Sequence, residues 1–368
     1  MKKLKVAVIG AGRLGGFHAQ KLAKTPDVEL AAIVDPVPES RRRVAAECLC
    51  PEFADHLSLL GRIDAAVIAA PTACHYELAK EFLQANTHLL VEKPLCLSSR
   101  QADDLVALAT KRKLVLQVGH VERFNPAFSA SLPHLGDPRY IETVRTSPFT
   151  FRSTDVGAVL DLMIHDLDLV LSIARSRVQK VDAVGLAVVG RDEDVASARI
   201  QFQNGCAANL TVSRVSRESA RRMKVWSSQA FADIDFAART SALVRPSEAL
   251  RQGAFHLDEL SPIQVEEHRR TFAAEHLPCE QLQFEAVDAL ALEVADFVDA
   301  IRTPRQPLVD GQSGRNAVAL AETIIDRIQA NWAASPGHST ADPQPHILTV
   351  GQPSAAPHKR RRSLREAG

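Results

Sequence analysis

The strongest constraint on this chain lies near its amino end, where an apolar run, Val6-Ala7-Val8-Ile9, meets Gly10-Ala11-Gly12-Arg13-Leu14-Gly15. An amphipathic segment from Phe17 to Ala23 follows, so the order reads strand, glycine turn, helix. Gly10 suits the tight turn, Gly12 lets backbone approach a pyrophosphate, and Gly15 lets the helix pack closely on the strand. The free N–H groups of the helix, beginning near Arg13 and Leu14, then face the phosphates.

A second apolar strand, Val28 to Val34, ends in Asp35. A carboxylate there accepts hydrogen bonds from a ribose 2′-hydroxyl and repels a 2′-phosphate, which favours NAD over NADP. The triplet Arg41, Arg42, Arg43 weakens that preference slightly and reads as the solvated face of the next helix. A flavin or nucleotide-sugar Rossmann site is the competing meaning of the glycine turn and ranks below a nicotinamide cofactor.

Strand and helix go on alternating: a helix over Glu39 to Cys48, a strand over Ile63 to Ala70, a helix over Cys74 to Ala85 and a strand over His88 to Val91. A helix over Ser99 to Arg112 and a strand over Leu114 to Val118 complete the series. Such alternation builds a parallel sheet, whose ligands sit outside the carboxyl ends of the strands. Gly10, Asp35, Pro71-Thr72, Glu92-Lys93-Pro94 and Gly119-His120 therefore converge on one crevice.

From Arg123 the pattern changes. A strand over Arg139 to Thr146 and a long apolar helix over Asp155 to Ala174 precede alternating segments over Val181–Val189, 196–202, 207–213, 223–226 and 231–236, joined by turns such as Gln203-Asn204-Gly205. These predict a largely antiparallel sheet. Helices over Phe284 to Arg302 and Gly311 to Trp332 close the fold. The expected architecture is an α/β Rossmann domain over residues 1–122 and an α+β domain with a mostly antiparallel open sheet over 123–333. The Pro, Ser, His and Gln content beyond Ala334, with the basic run His358 to Ser363, predicts a disordered tail over 334–368.

At 368 residues, 46% of them apolar, the chain has material for two cores. Lys plus Arg equals Asp plus Glu, 44 against 44, so no global field recruits nucleic acid or a membrane surface, and a small molecule is the expected partner. The apolar run after Lys5 is interrupted by Gly10, Gly12 and Arg13 too early for a signal peptide, and no other stretch is long enough to span a membrane. The six cysteines lack metal-ligand spacing and read as reduced residues of a cytoplasmic protein.

In Asp161-Leu162-Met163-Ile164-His165, Asp161 and His165 lie i and i+4 on a helix and share one face. An imidazole has the pKa to take a proton from an alcohol near neutral pH, and a cation such as Lys93 stabilises the developing alkoxide. An ordinary surface ion pair is the competing reading of each residue alone. Asp166 and Asp168 point away from His165, so no metal site is expected. His120 stands at a strand end beside the crevice as a candidate substrate contact, whereas His18 and His75 read as structural.

Together the glycine turn, Ala70-Pro71-Thr72, Glu92-Lys93-Pro94 and the D-x-x-x-H of Asp161 and His165 make the chain resemble the Gfo/Idh/MocA oxidoreductases from Lys3 to Trp332. The resemblance implies an NAD-dependent enzyme with Lys93, Asp161 and His165 as its catalytic triad, and a homo-oligomer. Val118 to Pro126, Thr154 to Asp166 and Phe202 to Thr211 resemble in particular the UDP-N-acetylglucosamine 3-dehydrogenase type, whose 3-keto product feeds an aminotransferase and amino-sugar formation for lipid A. Leu160 and Ile164 replace glycines of the commoner family form. A diphosphate needs cationic partners, for which Arg123, Arg152, Arg214 and Arg217 are the candidates. Another sugar or cyclitol substrate, or a non-catalytic NAD-binding regulator, are the alternatives.

Overall fold

The computed structural model describes residues 2–151 and 156–334. Of the tail expected over 334–368, Ala334 ends the last helix and 335–368 lie outside the described residues, as do Arg152, Thr154 and Asp155. The amino-terminal half alternates β1 (Leu4–Ile9), α1 (Arg13–Lys24), β2 (Val28–Val34), α2 (Pro38–Cys48), β3 (Glu52–Phe53), β4 (Ala65–Ile68), α3 (Thr72–Gln84), β5 (His88–Glu92), α4 (Ser99–Arg112) and β6 (Leu116–Gly119). Its six strands pair in the order β3-β2-β1-β4-β5-β6, all parallel. The central strands are buried on both faces, which is why they read as unbroken apolar runs.

The second half contains α5 (Pro126–Leu135), β7 (Pro138–Thr146), α6 (Ile164–Ala174), β8 (Val178–Leu186), β9 (Val195–Phe202), β10 (Ala207–Ser213), β11 (Ala220–Ser227), β12 (Phe231–Asp235) and β13 (Thr240–Val244). It ends with α7 (Glu248–Arg251), α8 (Pro262–His276), β14 (Cys279–Gln283), α9 (Ala289–Arg302) and α10 (Gly311–Ala334). Eight strands form the sheet β14-β13-β12-β11-β7-β10-β9-β8, antiparallel except where β7 lies parallel to β10. This is the expected combination of a parallel Rossmann sheet and a mostly antiparallel one.

Two expectations need correction. The helix expected from Phe284 starts at Ala289, because Asp288 caps it by accepting a bond from the Ala291 N–H, while the Phe284 N–H continues the sheet edge by bonding the Arg239 carbonyl. The helix expected over Asp155 to Ala174 is not uniform: Val159–Met163 forms a wide π turn ahead of α6.

One face of the antiparallel sheet packs on α6 and α10 through Ile164, Leu167, Leu210, Met223, Val225 and Ile324. The last two helices also return to the Rossmann sheet. Val294, Phe297 and Val298 of α9 pack against Val6, Val8 and Val67, and Val318 of α10 joins Val118 on the opposite face.

Candidate active site

At the glycine turn, Gly10 has φ +102°, and a Cβ there would stand 2.5 Å from the Ala69 carbonyl oxygen. A Cβ at Gly15 would collide with the Gly10 carbonyl, whereas around the Cβ position of Gly12 nothing lies within 4 Å. The open cradle at the amino end of α1 fits a pyrophosphate, and the closed positions hold strand and helix together. Arg13 lies over the Phe17 ring and Leu14 is exposed at the same turn. Asp35 accepts from the Ala11 N–H at 2.7 Å and the Val37 N–H at 2.8 Å, which brings its carboxylate to the glycine turn. The arginine triplet is engaged locally: Arg41 donates to the Asp35 and Pro36 carbonyls, Arg42 reaches Glu52 at 3.6 Å, and Arg43 pairs with Glu47 at 3.2 Å.

The turns after β4 and β5 are fastened to each other. His75 places its two ring nitrogens 2.8 Å from the Ala70 carbonyl and 2.9 Å from the Pro94 carbonyl, linking the Pro71-Thr72 turn to the Glu92-Lys93-Pro94 turn. Glu92 faces inward, 2.6 Å from His18 Nε2, and its other oxygen accepts from the Lys93 N–H at 3.2 Å. Glu293 of α9 is buried nearby, and neither of its carboxylate oxygens has a hydrogen-bond partner among the described residues. Burial, and then the neighbouring Glu92 charge, push its carboxyl well above the ordinary carboxylate range.

Lys93 reaches the π turn. Its ammonium donates to the Asp161 main-chain carbonyl at 2.8 Å and to Asp161 Oδ1 at 3.2 Å, with both side chains largely buried. His165 follows one turn later, with Nδ1 buried and unpartnered among the described residues. Burial, reinforced by Lys93, Arg145, His120 and Arg221, holds its pKa well below the usual histidine value. The ring is therefore uncharged at neutral pH, with one nitrogen able to accept a proton. His120, buried at the end of β6, presents its ring edgewise to His165 with centroids 6.3 Å apart, and burial lowers its pKa too. The four residues expected at the chemistry thus meet where the Rossmann strand ends face the π turn.

Several charged residues that hold this site escape sequence reasoning. Arg145, buried on β7, takes Asp166 in a two-pronged bond, at 3.1 Å from Nε and 2.7 Å from Nη2 to Oδ1, and Glu122 at 2.9 Å. Burial alone would lower the Arg145 pKa, but Asp166 and Glu122 outweigh it and keep the guanidinium charged. Glu193 accepts from the Val159 N–H at 2.9 Å and so steadies the entry to the π turn. The alternation of β7 carries the available signal: Ile141 and Thr143 face the core, so Arg145 does as well and must meet buried acids.

The arginines expected to meet substrate are differently disposed. Arg123 lies 3.6 Å from Asp168 and donates to the Leu308 carbonyl, and Arg214 is buried against Asp194 at 2.6 Å and the Val156 carbonyl at 2.7 Å. Arg217 is exposed in the loop before β11. A cavity of about 740 Å³ lined by His88, Leu114, Leu116 and Arg305 lies at the amino ends of β5 and β6, the wrong end of the sheet for this chemistry.

Comparison with known proteins agrees with this geometry. Residues 4–120 match the Gfo/Idh/MocA oxidoreductase family, NAD-binding Rossmann fold, and residues 130–232 match the Gfo/Idh/MocA C-terminal domain. The chain belongs to the Gfo/Idh/MocA family. It is 37% identical over 331 residues, 90% of this chain and 99% of the relative, to UDP-N-acetylglucosamine 3-dehydrogenase of Acidithiobacillus ferrooxidans. A solved structure of that enzyme superposes with a TM-score of 0.78 at 36% identity, over 90% of this chain and 99% of the other. Inositol 2-dehydrogenase of Rhizobium meliloti is 23% identical over 88% of this chain and 96% of the relative. Levoglucosan dehydrogenase in complex with NADH shares the fold, with a TM-score of 0.76 at 16% identity over 89% of this chain and 97% of the other. This Gfo/Idh/MocA chain is accordingly an oxidoreductase with an NAD-binding Rossmann fold, and no helix among its described residues is long and apolar enough to cross a membrane.

Proposed function

We propose that the protein oxidises the 3-hydroxyl of UDP-N-acetylglucosamine with NAD, giving the 3-keto nucleotide sugar. The observation that carries the reading is the Lys93–Asp161 contact beside the uncharged His165 ring, at the carboxyl ends of the Rossmann strands. Near full-length similarity to a UDP-N-acetylglucosamine 3-dehydrogenase supports the substrate. The bound dinucleotide supplies the acceptor for the hydride that leaves the sugar carbon. His165 takes the hydroxyl proton. Lys93 has three N–H donors, two engaged by Asp161, and directs the third at the sugar oxygen, where its charge stabilises developing alkoxide. Asp161 positions that ammonium. Gly10, Gly12, Arg13, Leu14 and Gly15 form the phosphate turn, and Pro71, Thr72, Glu92 and Lys93 line the nicotinamide side.

Asp35 at the glycine turn supports NAD over NADP, because its carboxylate can accept from a ribose 2′-hydroxyl and repels a 2′-phosphate. In this reading residues 1–122 bind cofactor, 123–333 bind substrate and associate into a homo-oligomer, and the cytoplasmic product passes to an aminotransferase toward lipid A amino sugars.

NADH formation from NAD and UDP-N-acetylglucosamine, with an aminotransferase removing the ketone, tests the assignment. Lys93→Ala and His165→Ala should each lower kcat by about 10²–10⁴-fold, the usual worth of a positioned acid–base group, while NAD still binds. Absence of turnover with either dinucleotide would discard the UDP-sugar substrate.

A further inference from the structure

The arginines named from sequence leave the diphosphate question open, because Arg123 and Arg214 already serve Asp168 and Asp194. Strand β11 supplies another. Met223 and Val225 face the core shared with Ile164 and Leu167 of α6, so Arg221, two residues before Met223, projects from the same face of the sheet. It stands directly opposite Arg145 in the β11–β7 register. Two guanidinium groups side by side repel unless each is compensated. Arg145 is compensated by Asp166 and Glu122, but Arg221 is exposed and has no hydrogen-bond or ion-pair partner for its side chain among the described residues. Its charge reaches the site: after burial and the nearer cations it helps keep His165 uncharged, and it opposes the burial that raises the Asp166 carboxyl. An exposed cation with no hydrogen-bond or ion-pair partner among the described residues, at the rim of an alcohol-oxidising site, matches an anionic part of the substrate remote from the reacting carbon.

We propose that Arg221 is a specificity-determining residue that binds the diphosphate of the nucleotide-sugar substrate at the mouth of the site. The inference rests on the nucleotide-sugar reading above. Charge-assisted bonds to phosphate oxygens form equally in ground and transition states, so Arg221 contributes to KM more than to kcat.

Steady-state kinetics on the full-length protein test this, with UDP-N-acetylglucosamine as variable substrate at saturating NAD and free UDP as inhibitor. Arg221→Ala should raise KM for the sugar nucleotide and the inhibition constant for UDP together, by about tenfold or more, the loss expected for a hydrogen bond to a charged group. It should change kcat less than about threefold and leave KM for NAD unchanged. Arg221→Lys should recover part of the loss, because a lysine still offers a point charge to phosphate. An active wild type whose KM and UDP inhibition are indifferent to Arg221→Ala overturns the role of Arg221 and leaves the substrate reading standing. A rise confined to KM for NAD overturns it as well. A wild type that neither oxidises nor binds a UDP-sugar removes both.

Discussion

His165 sets the first prediction at the scale of single residues. Burial and surrounding cations hold its pKa well below the ordinary value of about 6.5, so the ring stays uncharged in mildly acidic solution, as the proposed base must. The acid limb of kcat/KM should therefore lie below pH 6.5, and a pH profile with its acid limb above 7 would rule His165 out as the sole base. Glu293 works in the opposite direction. Its folded-state pKa is raised, so its neutral form contributes stability that is fully present below the unfolded value of about 4.3 and is lost as pH rises through the folded one. Glu293→Gln should unfold at higher temperature than wild type at pH 8, with the gap closing toward pH 4, as thermal denaturation across that range would show. That Lys93, Asp161 and His165 come together was legible in the sequence, because each belongs to a short motif with a strand or helix beside it. Arg145, Glu193 and Arg221 were not: the partners of Arg145 and Glu193 lie a few dozen residues away along the chain, and only the pairing of β7 with β11 sets Arg221 opposite Arg145.

At the scale of elements, α6 is the part most exposed to disruption. It carries Asp166 against Arg145 in a buried pair, and removing one member leaves the other charge uncompensated. Asp166→Ala should lower stability by about 3–5 kcal/mol, measurable by urea unfolding. The Rossmann alternation could be read nearly to the residue, since the period of apolar positions and the glycine turn agree on it. The region between β12 and α9 could not. Helix α8 buries none of its residues and has no apolar stripe for periodicity to detect, and its start is instead marked by a capping box between Ser261 and Gln264. The π turn was invisible for a different reason: the i, i+4 spacing of Asp161 and His165 suits an ordinary helix, whereas the observed wide turn presents the Asp161 carbonyl to Lys93.

At the scale of the whole molecule, α10 ties the two sheets together. Gly314 lies against Val118 of the parallel sheet, where a Cβ would come within 2.5 Å of Val118 Cγ2. Near the other end of the helix, Trp332 Nε1 donates to the Gly185 carbonyl of the antiparallel sheet at 2.7 Å. Calorimetry should accordingly show one cooperative transition, and Gly314→Val should shift the whole of it downward; two separated transitions would refute the coupling. The same return of the chain bears on its synthesis. The face of β1 and β4 that Val294, Phe297 and Val298 cover is built from residues translated long before α9 exists. At ordinary elongation rates, roughly ten to thirty seconds separate the emergence of the first six strands from that of their cover. During that interval the part of the sheet face that α9 will cover is open to the ribosome's surroundings, so the nascent chain presents apolar surface that the finished protein does not.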